Sequence, residues 1–296
     1  MRSTWLSVLL LLAVPSVGRA AVPDQGGDLD AIRARGVLRH LGIPYASFVT
    51  GGGDGLDVEL VRRFAQKLGV RYEYVETDWP AALPDLVGRK VLASAPDPDH
   101  APAVAIRGDI LATGLTVLPW RARAVAFSAP VFPTQVWVVA RAESPVRPIT
   151  PTGTPEGDVG TVKATLRNRS VIGVANTCLD PALYQLDRTG ARLQLRKLRL
   201  DEVAPALVNG DSDLALLDVA DAMLALQRFP GKLKVVGPVS ARQEMAAAFR
   251  KGSPRLREAF DAFLAEARRD GSYDALIRTY FPEAPVYFPD FFAAAR

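Results

Sequence analysis

The stretch that decides the fold is GLDVELVRRFAQKLGVRYEYVE, residues 55–76. Apolar residues recur at helical spacing through Asp57–Leu68, and Gly69 stands where a helix usually ends. Val70–Glu76 then alternates between apolar and polar residues, as a strand does. A strand-like run, Val37–Ile43, precedes the helix. A strand, a helix and a second strand in this order predict a parallel βαβ unit.

The same alternation of strands and helices continues along the chain. Residues 142–160 interrupt it and are rich in Pro, Thr and Gly, which predicts an exposed loop. The chain is therefore predicted to be α/β, with mostly parallel sheets covered by helices on both faces. The further predicted strands are Asp109–Leu115, Val136–Ala140, Ser170–Ala175, Leu214–Asp218, Lys234–Val236 and Met245–Arg250. The further predicted helices are Leu29–Arg35, Ala81–Val87, Pro181–Leu186, Val203–Asn209, Ala220–Gln227, and two that begin at Pro254 and Ser272.

The first 20 residues have the pattern of a cleaved export signal. Arg2 is followed by an apolar run, Trp5–Val14, which is roughly half of the ~20 residues that a membrane-spanning helix needs. Gly18 and Ala20 place small residues where a signal peptidase cuts. We therefore expect a signal peptide over residues 1–20 and a periplasmic location.

Composition excludes several classes of function. The 296 residues are 49% hydrophobic and 23% charged, as in an ordinary globular protein. Without the signal peptide, 34 basic residues (36 less Arg2 and Arg19) face 32 acidic ones. No basic patch with interleaved aromatics occurs, so nucleic acid is not an expected partner. With Cys178 as the single cysteine and only His40 and His100 as histidines, we expect no internal disulfide, no metal site and no cofactor.

Four segments in collinear order resemble the family 3 extracellular solute-binding proteins of the amino-acid type. They are Gly55–Val70, Gly108–Phe132 (GDILATGLTVLPWRARAVAFSAPVF), Val208–Asp218 (VNGDSDLALLD) and Phe249–Phe281. The set is also similar to the solute-binding module of membrane-bound lytic murein transglycosylase F.

The resemblance implies a two-lobed periplasmic-binding-protein-like fold of type II, with a central cleft and two crossing hinge strands. Lobe 1 would take residues 28–133 and 241–285, lobe 2 residues 136–239, and a C-terminal tail residues 286–296. The implied function is capture of a small polar solute, an amino acid or related carboxylate, for a membrane permease. The implied protein is a monomer and not an enzyme.

The resemblance also implies which residues bind the solute. Arg121 stands at the spacing of the arginine that grips the solute carboxylate, although a surface arginine would also fit there. Asp218 stands where an acid accepts the α-ammonium group, and it would equally serve as a helix N-cap. Further candidates for hydrogen bonds or for pocket walls, some of them equally compatible with core packing, are Thr113, Thr116, Thr177, Tyr45, Phe48 and Trp79.

Two segments depart from the family pattern. Asn176–Leu179 replaces a Ser/Gly/Thr loop that holds the carboxylate, which puts an ordinary α-amino acid ligand in doubt. Val91–Arg107 is a Pro/Ala/Asp-rich insertion, either a surface loop or a partner contact. Two alternatives therefore stay open: an accessory binding module like that of the transglycosylase, and an enzyme resembling cyclohexadienyl dehydratase with Asp218 or Glu76 as proton donor.

Overall fold

The computed structural model describes residues 27–91 and 102–294. The predicted signal peptide and His100, together with most of the insertion around it, lie outside the described residues. The described chain divides into two lobes, each built on a five-stranded sheet.

The first lobe contains a five-stranded sheet. Its strands are β1 (Val37–Gly42), β2 (Arg71–Glu76), β3 (Ile110–Leu111), β4 (Ala126–Phe127) and β12 (Ala248–Phe249). Their order across the sheet is β2-β1-β3-β12-β4. β1 runs parallel to β2, from Val37 opposite Arg71 to Gly42 opposite Glu76, as the βαβ prediction requires. β12 returns from late in the chain and pairs antiparallel with both β3 and β4. The helices of the first lobe are α1 (Leu29–Arg35), α2 (Leu56–Leu68), α3 (Ala82–Val87), α4 (Pro119–Ala124), α8 (Pro254–Arg269) and α9 (Ser272–Tyr280).

The second lobe contains a five-stranded sheet. Its strands are β6 (Val136–Arg141), β7 (Ser170–Gly173), β8 (Arg192–Leu195), β9 (Leu214–Asp218) and β10 (Leu233–Pro238). Their order across the sheet is β10-β6-β9-β7-β8. β7 pairs parallel with β8 and β9, whereas β6 is antiparallel to its neighbours β9 and β10. The helices of the second lobe are α5 (Pro155–Ala164), α6 (Leu200–Val208) and α7 (Val219–Arg228).

Two short strands connect the lobes. β5 (Phe132–Thr134) and β11 (Gln243–Met245) pair antiparallel, so the chain crosses between the sheets once in each direction at this ribbon. The chain then closes with α10 (Ala284–Tyr287) and α11 (Pro289–Ala294). The two-lobed α/β fold with crossing hinge strands is thus confirmed.

Two glycines fix the loop that carries Tyr45 and Phe48. Gly55, just before α2, has φ 133°, and a Cβ there would lie 2.3 Å from the Phe48 carbonyl oxygen. Gly114, after β3, has φ 62°, and its Cβ would lie 2.4 Å from the Phe48 ring. Only glycine tolerates both the conformation and the close approach. The Gly114 N–H also donates to Asp57 Oδ2 at 2.6 Å, which joins the start of α2 to the loop after β3.

Some predicted elements differ from the observed ones. The predicted loop 142–160 is wrong at its end, because Pro155 begins α5 and the Thr154 hydroxyl accepts a hydrogen bond from Gly157 N at 3.2 Å. The predicted helix over Pro181–Leu186 is a 3₁₀ turn over Pro181–Tyr184 instead. The predicted strand over Met245–Arg250 is two short strands, β11 and β12, and Asp109–Leu115 shrinks to the two residues of β3. In the described part of the chain, no helix combines the length and the apolar character that a membrane span requires.

Candidate functional site

A cavity of about 580 Å³ lies between the two lobes. The first lobe contributes Ile43 and Pro44 after β1, and residues 76–80 after β2. The second lobe contributes Val174, Ala175 and Thr177 after β7, and residues 197–202 after β8. All four segments follow the carboxyl ends of parallel strands, which is where sheets of this kind bind ligands.

Arg121 lies on α4, next to the cavity wall at Trp79, and is not itself one of the lining residues. Pro119 begins that helix, and the Arg121 side chain is only 3% exposed. Its guanidinium carbon lies 5.7 Å from the ring centroid of Trp79, a cavity wall, and 5.2 Å from that of Trp120. Burial lowers the pKa of Arg121 below its ordinary value, since the charged form loses hydration.

The Arg121 guanidinium makes one hydrogen bond, from Nη1 to the Thr116 carbonyl oxygen at 2.9 Å. Within residues 27–91 and 102–294, no carboxylate lies at ion-pair distance from it. A buried cation without a counterion is costly, so buried charges are ordinarily paired. The guanidinium therefore retains donors for an anion that the protein itself does not supply.

Asp218 lies on the opposite lobe and is completely buried. It ends β9 and caps α7, because its Oδ1 accepts from the backbone N–H groups of Ala220 at 2.9 Å and Asp221 at 3.2 Å. Its Oδ2 accepts from the Tyr45 hydroxyl and from the Cys178 thiol, whose sulfur lies 3.7 Å away. Asp218 therefore caps α7 with one oxygen and meets Tyr45 of the first lobe with the other, and it is not one of the residues that line the cavity.

Tyr45 joins the two lobes directly through this hydrogen bond to Asp218. Its ring lies between Phe48, stacked at 5.8 Å, and Trp79, edge-on at 5.6 Å. Burial and the neighbouring Asp218 carboxylate raise the pKa of Tyr45 well above its ordinary value. The hydroxyl thus keeps its proton and acts as the donor.

The hydroxyl groups of the predicted site residues Thr113 and Thr116 contact other groups of the protein. The Thr113 hydroxyl donates to Ile43 O at 2.7 Å and accepts from Ile43 N at 3.1 Å, so it holds the Pro44 loop. The Thr116 hydroxyl interacts with the Cys178 thiol, and both groups are buried.

Phe48 and Thr177 are also engaged within the protein. Phe48 is fully buried and packs on Phe132 and Phe281 at 5.2 and 4.7 Å between ring centroids. Thr177 lines the cavity, while its hydroxyl donates to Val174 O at 2.8 Å and accepts from Leu179 N at 3.0 Å. The backbone N–H of Leu179 is therefore already used inside the loop that departs from the family pattern.

Three residues near the predicted site were not among the sequence candidates for ligand binding. Cys178 and Asp218 share a hydrogen bond, and the Tyr184 hydroxyl donates to Cys178 O at 2.5 Å. Burial and Asp218 raise the pKa of the Cys178 thiol, which therefore stays protonated and donates. Asp221, in the first turn of α7, is 8% exposed and its Oδ2 has no hydrogen-bond partner. The only sequence signal for Cys178 and Tyr184 was their position after strand β7.

The cavity rim carries charges of both signs. The Arg199 guanidinium is held by Asp201, with nitrogen–oxygen distances of 2.7 and 3.0 Å. No group of three or more residues of the kinds that hold metal ions was found in the part of the chain described here. The charged residues among the cavity lining are Glu76, Asp78, Lys197, Arg199, Asp201 and Glu202.

Residues 104–283 match the family described as bacterial extracellular solute-binding proteins, family 3. This chain belongs to that family. The matched range contains Arg121, Cys178 and Asp218, and excludes Tyr45 and Trp79.

Curated relatives of this family 3 chain include both binding proteins and a longer enzyme. The L-cystine-binding protein TcyJ of Escherichia coli K12 is 24% identical over 298 residues, covering 95% of each chain. Membrane-bound lytic murein transglycosylase F of Desulfosudis oleivorans is 24% identical over 236 residues, which are 79% of this chain and 45% of the enzyme. This chain therefore spans less than half the length of the transglycosylase.

Solved structures share the two-lobed fold. A mutant of ArgBP from T. maritima matches with a TM-score of 0.66 and 25% identity, covering 86% of this chain and 99% of that one. An ancestral arginine-binding protein bound to arginine also matches at 0.66, with 22% identity over 83% and 99% of the two chains.

Proposed function

We propose that this family 3 chain captures a small carboxylate-bearing solute, an amino acid or a related carboxylate, between its lobes in the periplasm. Delivery to a membrane permease follows from the same proposal, as does action as a monomer after removal of residues 1–20. The observation that carries the proposal is the buried Arg121 guanidinium without a carboxylate partner. A solute carboxylate would supply the missing charge and two parallel hydrogen bonds.

The other groups have supporting roles in this proposal. Trp79 and Thr177 line the space that the body of the solute would occupy, and Thr116 positions Arg121 through its carbonyl group. Tyr45 and Asp218 close the lobes over the solute, while Thr113 and Phe48 hold the loops after β1 and β3. Amino-acid binding by the named relatives supports this assignment of roles.

A thermal-shift measurement tests the proposal, because a ligand that binds only the folded state raises Tm. The screen uses amino acids, dicarboxylates and monocarboxylates, and material that co-purifies is identified by mass spectrometry. At a hundredfold excess over Kd the expected rise is about 5 °C or more. Arg121→Ala should abolish it, whereas Arg123→Ala, an exposed neighbour on the same helix, should preserve it. A rise that survives Arg121→Ala would refute the anchoring role.

The transglycosylase relative favours a second candidate function, an accessory module that binds cell-wall peptide. Murein peptide fragments would then raise Tm and free amino acids would not. The third candidate function, an enzyme, has one point of support: an ancestral amino-acid-binding protein described as a precursor of cyclohexadienyl dehydratase shares the fold at a TM-score of 0.63. Product formation from prephenate by the purified chain would support that reading instead.

A further inference from the structure

The Asp218 carboxylate already accepts four hydrogen bonds from the protein. Oδ1 accepts from the N–H groups of Ala220 and Asp221, and Oδ2 accepts from the Tyr45 hydroxyl and the Cys178 thiol. Two carboxylate oxygens offer about four lone-pair sites in total. Asp218 therefore has no acceptor site left for a donor on the solute.

Displacing any of these four donors from Asp218 would cost free energy. The two N–H groups begin α7 and are among the helix-end donors that need a cap. The Tyr45 hydroxyl lies on a residue that is 5% exposed, and Cys178 is equally buried. An ammonium group that displaced either would leave a buried donor without a partner.

Asp221 is the neighbouring carboxylate, and its Oδ2 is unpartnered. It lines a separate cavity of about 150 Å³ together with Ala46 and Leu217, whereas Trp79 and Thr177 line the large one. Burial and repulsion from Asp218 raise the pKa of Asp221 well above its ordinary value. An α-ammonium group beside Trp79 and Thr177 would therefore lie in a different cavity from Asp221.

The cleft therefore offers a partner to the carboxylate of an amino acid but not to its α-ammonium group. Arg121 lacks an anion, whereas Asp218 has all of its acceptor sites filled. From this asymmetry we propose that the solute has a carboxylate but no α-ammonium group, and that Tyr45 is the residue that excludes the ammonium. The inference rests on the proposed function, since it takes Arg121 as the carboxylate anchor.

Matched compounds separate the two ligand classes. We would measure Kd by calorimetry for four pairs that differ only in the α-amino group: L-phenylalanine and 3-phenylpropanoate, L-glutamate and glutarate, L-leucine and 4-methylpentanoate, L-lysine and 6-aminohexanoate. At least one deaminated acid should bind, and about tenfold or more tightly than its partner, because the ammonium must displace a buried donor.

Tyr45→Phe supplies the matched variant. It removes the hydroxyl that fills Oδ2 and should shift the affinity ratio of the same pair about tenfold toward the amino acid. The ratio is unaffected by any general loss of affinity, and the wild-type ratio does not depend on the variant being well folded.

The possible outcomes distinguish the inference from the proposed function. Equal or tighter binding of the α-amino acid by the wild type overturns the inference and leaves Arg121 as a carboxylate anchor. A preference for deaminated acids that Tyr45→Phe leaves unchanged also overturns the role of Tyr45. Failure of all eight compounds and of the wider carboxylate screen to bind overturns both the inference and the proposed function.

Discussion

His40 is the fully buried titratable side chain of strand β1. Its Nε2 lies 2.7 Å from the Ala112 carbonyl oxygen, which only accepts, so Nε2 carries the proton. Its Nδ1 lies 2.8 Å from the Tyr72 hydroxyl and accepts from it in the neutral ring. Burial lowers the pKa of His40 to about 4, against the hydrogen bond to Ala112. The first lobe therefore holds a neutral imidazole.

This lowered pKa predicts an acid sensitivity. The unfolded chain binds a proton at His40 near pH 6.5 and the folded protein only near pH 4, so the free energy of unfolding falls as pH drops through that window. Between pH 7 and pH 5 the His40 contribution should fall by about 2 kcal/mol. Urea denaturation of the wild type and of His40→Gln at both pH values measures this as a difference.

The difference between the two proteins is needed because Asp57 acts in the opposite direction. Burial raises the pKa of Asp57 to about 7, so its contribution to stability falls as pH rises from about 4 toward 7. Asp57 is present in both proteins and cancels in the comparison. Equal pH dependence in the wild type and His40→Gln would refute the assignment of a neutral buried imidazole.

At the scale of single residues, motif spacing located Arg121 and Asp218, but not their contacts. Spacing identifies a position after a strand, and both residues lie at such positions facing the other lobe. Spacing could not show that the Tyr45 hydroxyl donates a hydrogen bond to Asp218, because the two residues are 173 positions apart in the sequence. Nor could it separate Phe48, packed on Phe132 and Phe281, from an aromatic wall of the cleft. The ligand-binding roles of all these residues stay predictions.

The C-terminal helix α11 packs on the hinge, an arrangement that the sequence patterns did not indicate. Phe292 is 6% exposed, and its ring centroid lies 6.2 Å from that of Phe132 on hinge strand β5. Arg242, next to β11, forms an ion pair with Asp290 at 3.2 Å. The end of the chain thus adds apolar contacts to a hinge that has only three residues in each strand.

This packing predicts that Phe292→Ala lowers the free energy of unfolding by about 3 kcal/mol, because it empties a buried aromatic site. Val286→Ala, at a side chain on α10 that is 78% exposed, should change it by less than about 0.5 kcal/mol. Chemical denaturation of both variants makes the comparison. Similar values for the two would show that α11 does not contribute to the stability of the hinge.

Among the elements, those with a strong local pattern were predicted, whereas strands made by distant pairing were either missed or given wrong bounds. α2 needed only its apolar spacing and Gly69, whose left-handed φ of 73° ends the helix as expected. α5 was missed because Pro155, usually read as a breaker, is here the first helical residue after a threonine cap. β4 and β12 are two residues long and exist as strands because they pair with each other across about 120 positions.

At the scale of the whole molecule, four collinear motifs were enough to predict two lobes and a hinge. They could not predict that β12 inserts between β3 and β4, because strand order depends on contacts between the ends of the chain. They also carried no information on whether the lobes are open or closed. The lobe boundaries at residues 133, 136, 239 and 241 remain a prediction.

The Tyr45–Asp218 hydrogen bond joins the two lobes. A typical hydrogen bond contributes about 0.5–1.5 kcal/mol net, which is up to about a tenfold factor in a two-state equilibrium. Tyr45→Phe should therefore shift the protein without solute toward the open form by up to about tenfold. Tyr273→Phe is the matched control, because its hydroxyl donates to Val131 O within the first lobe.

Small-angle X-ray scattering measures the change. The wild type should have a radius of gyration near that of a compact domain of this length, about 19 Å. Tyr45→Phe should increase it and Tyr273→Phe should not, since only the first substitution removes a contact between the lobes. A saturating carboxylate from the screen should return Tyr45→Phe to the wild-type value, because the bound solute replaces the lost contact by bridging to Arg121. An unchanged radius in ligand-free Tyr45→Phe would mean that the hinge and its C-terminal helices, rather than Tyr45, keep the lobes together.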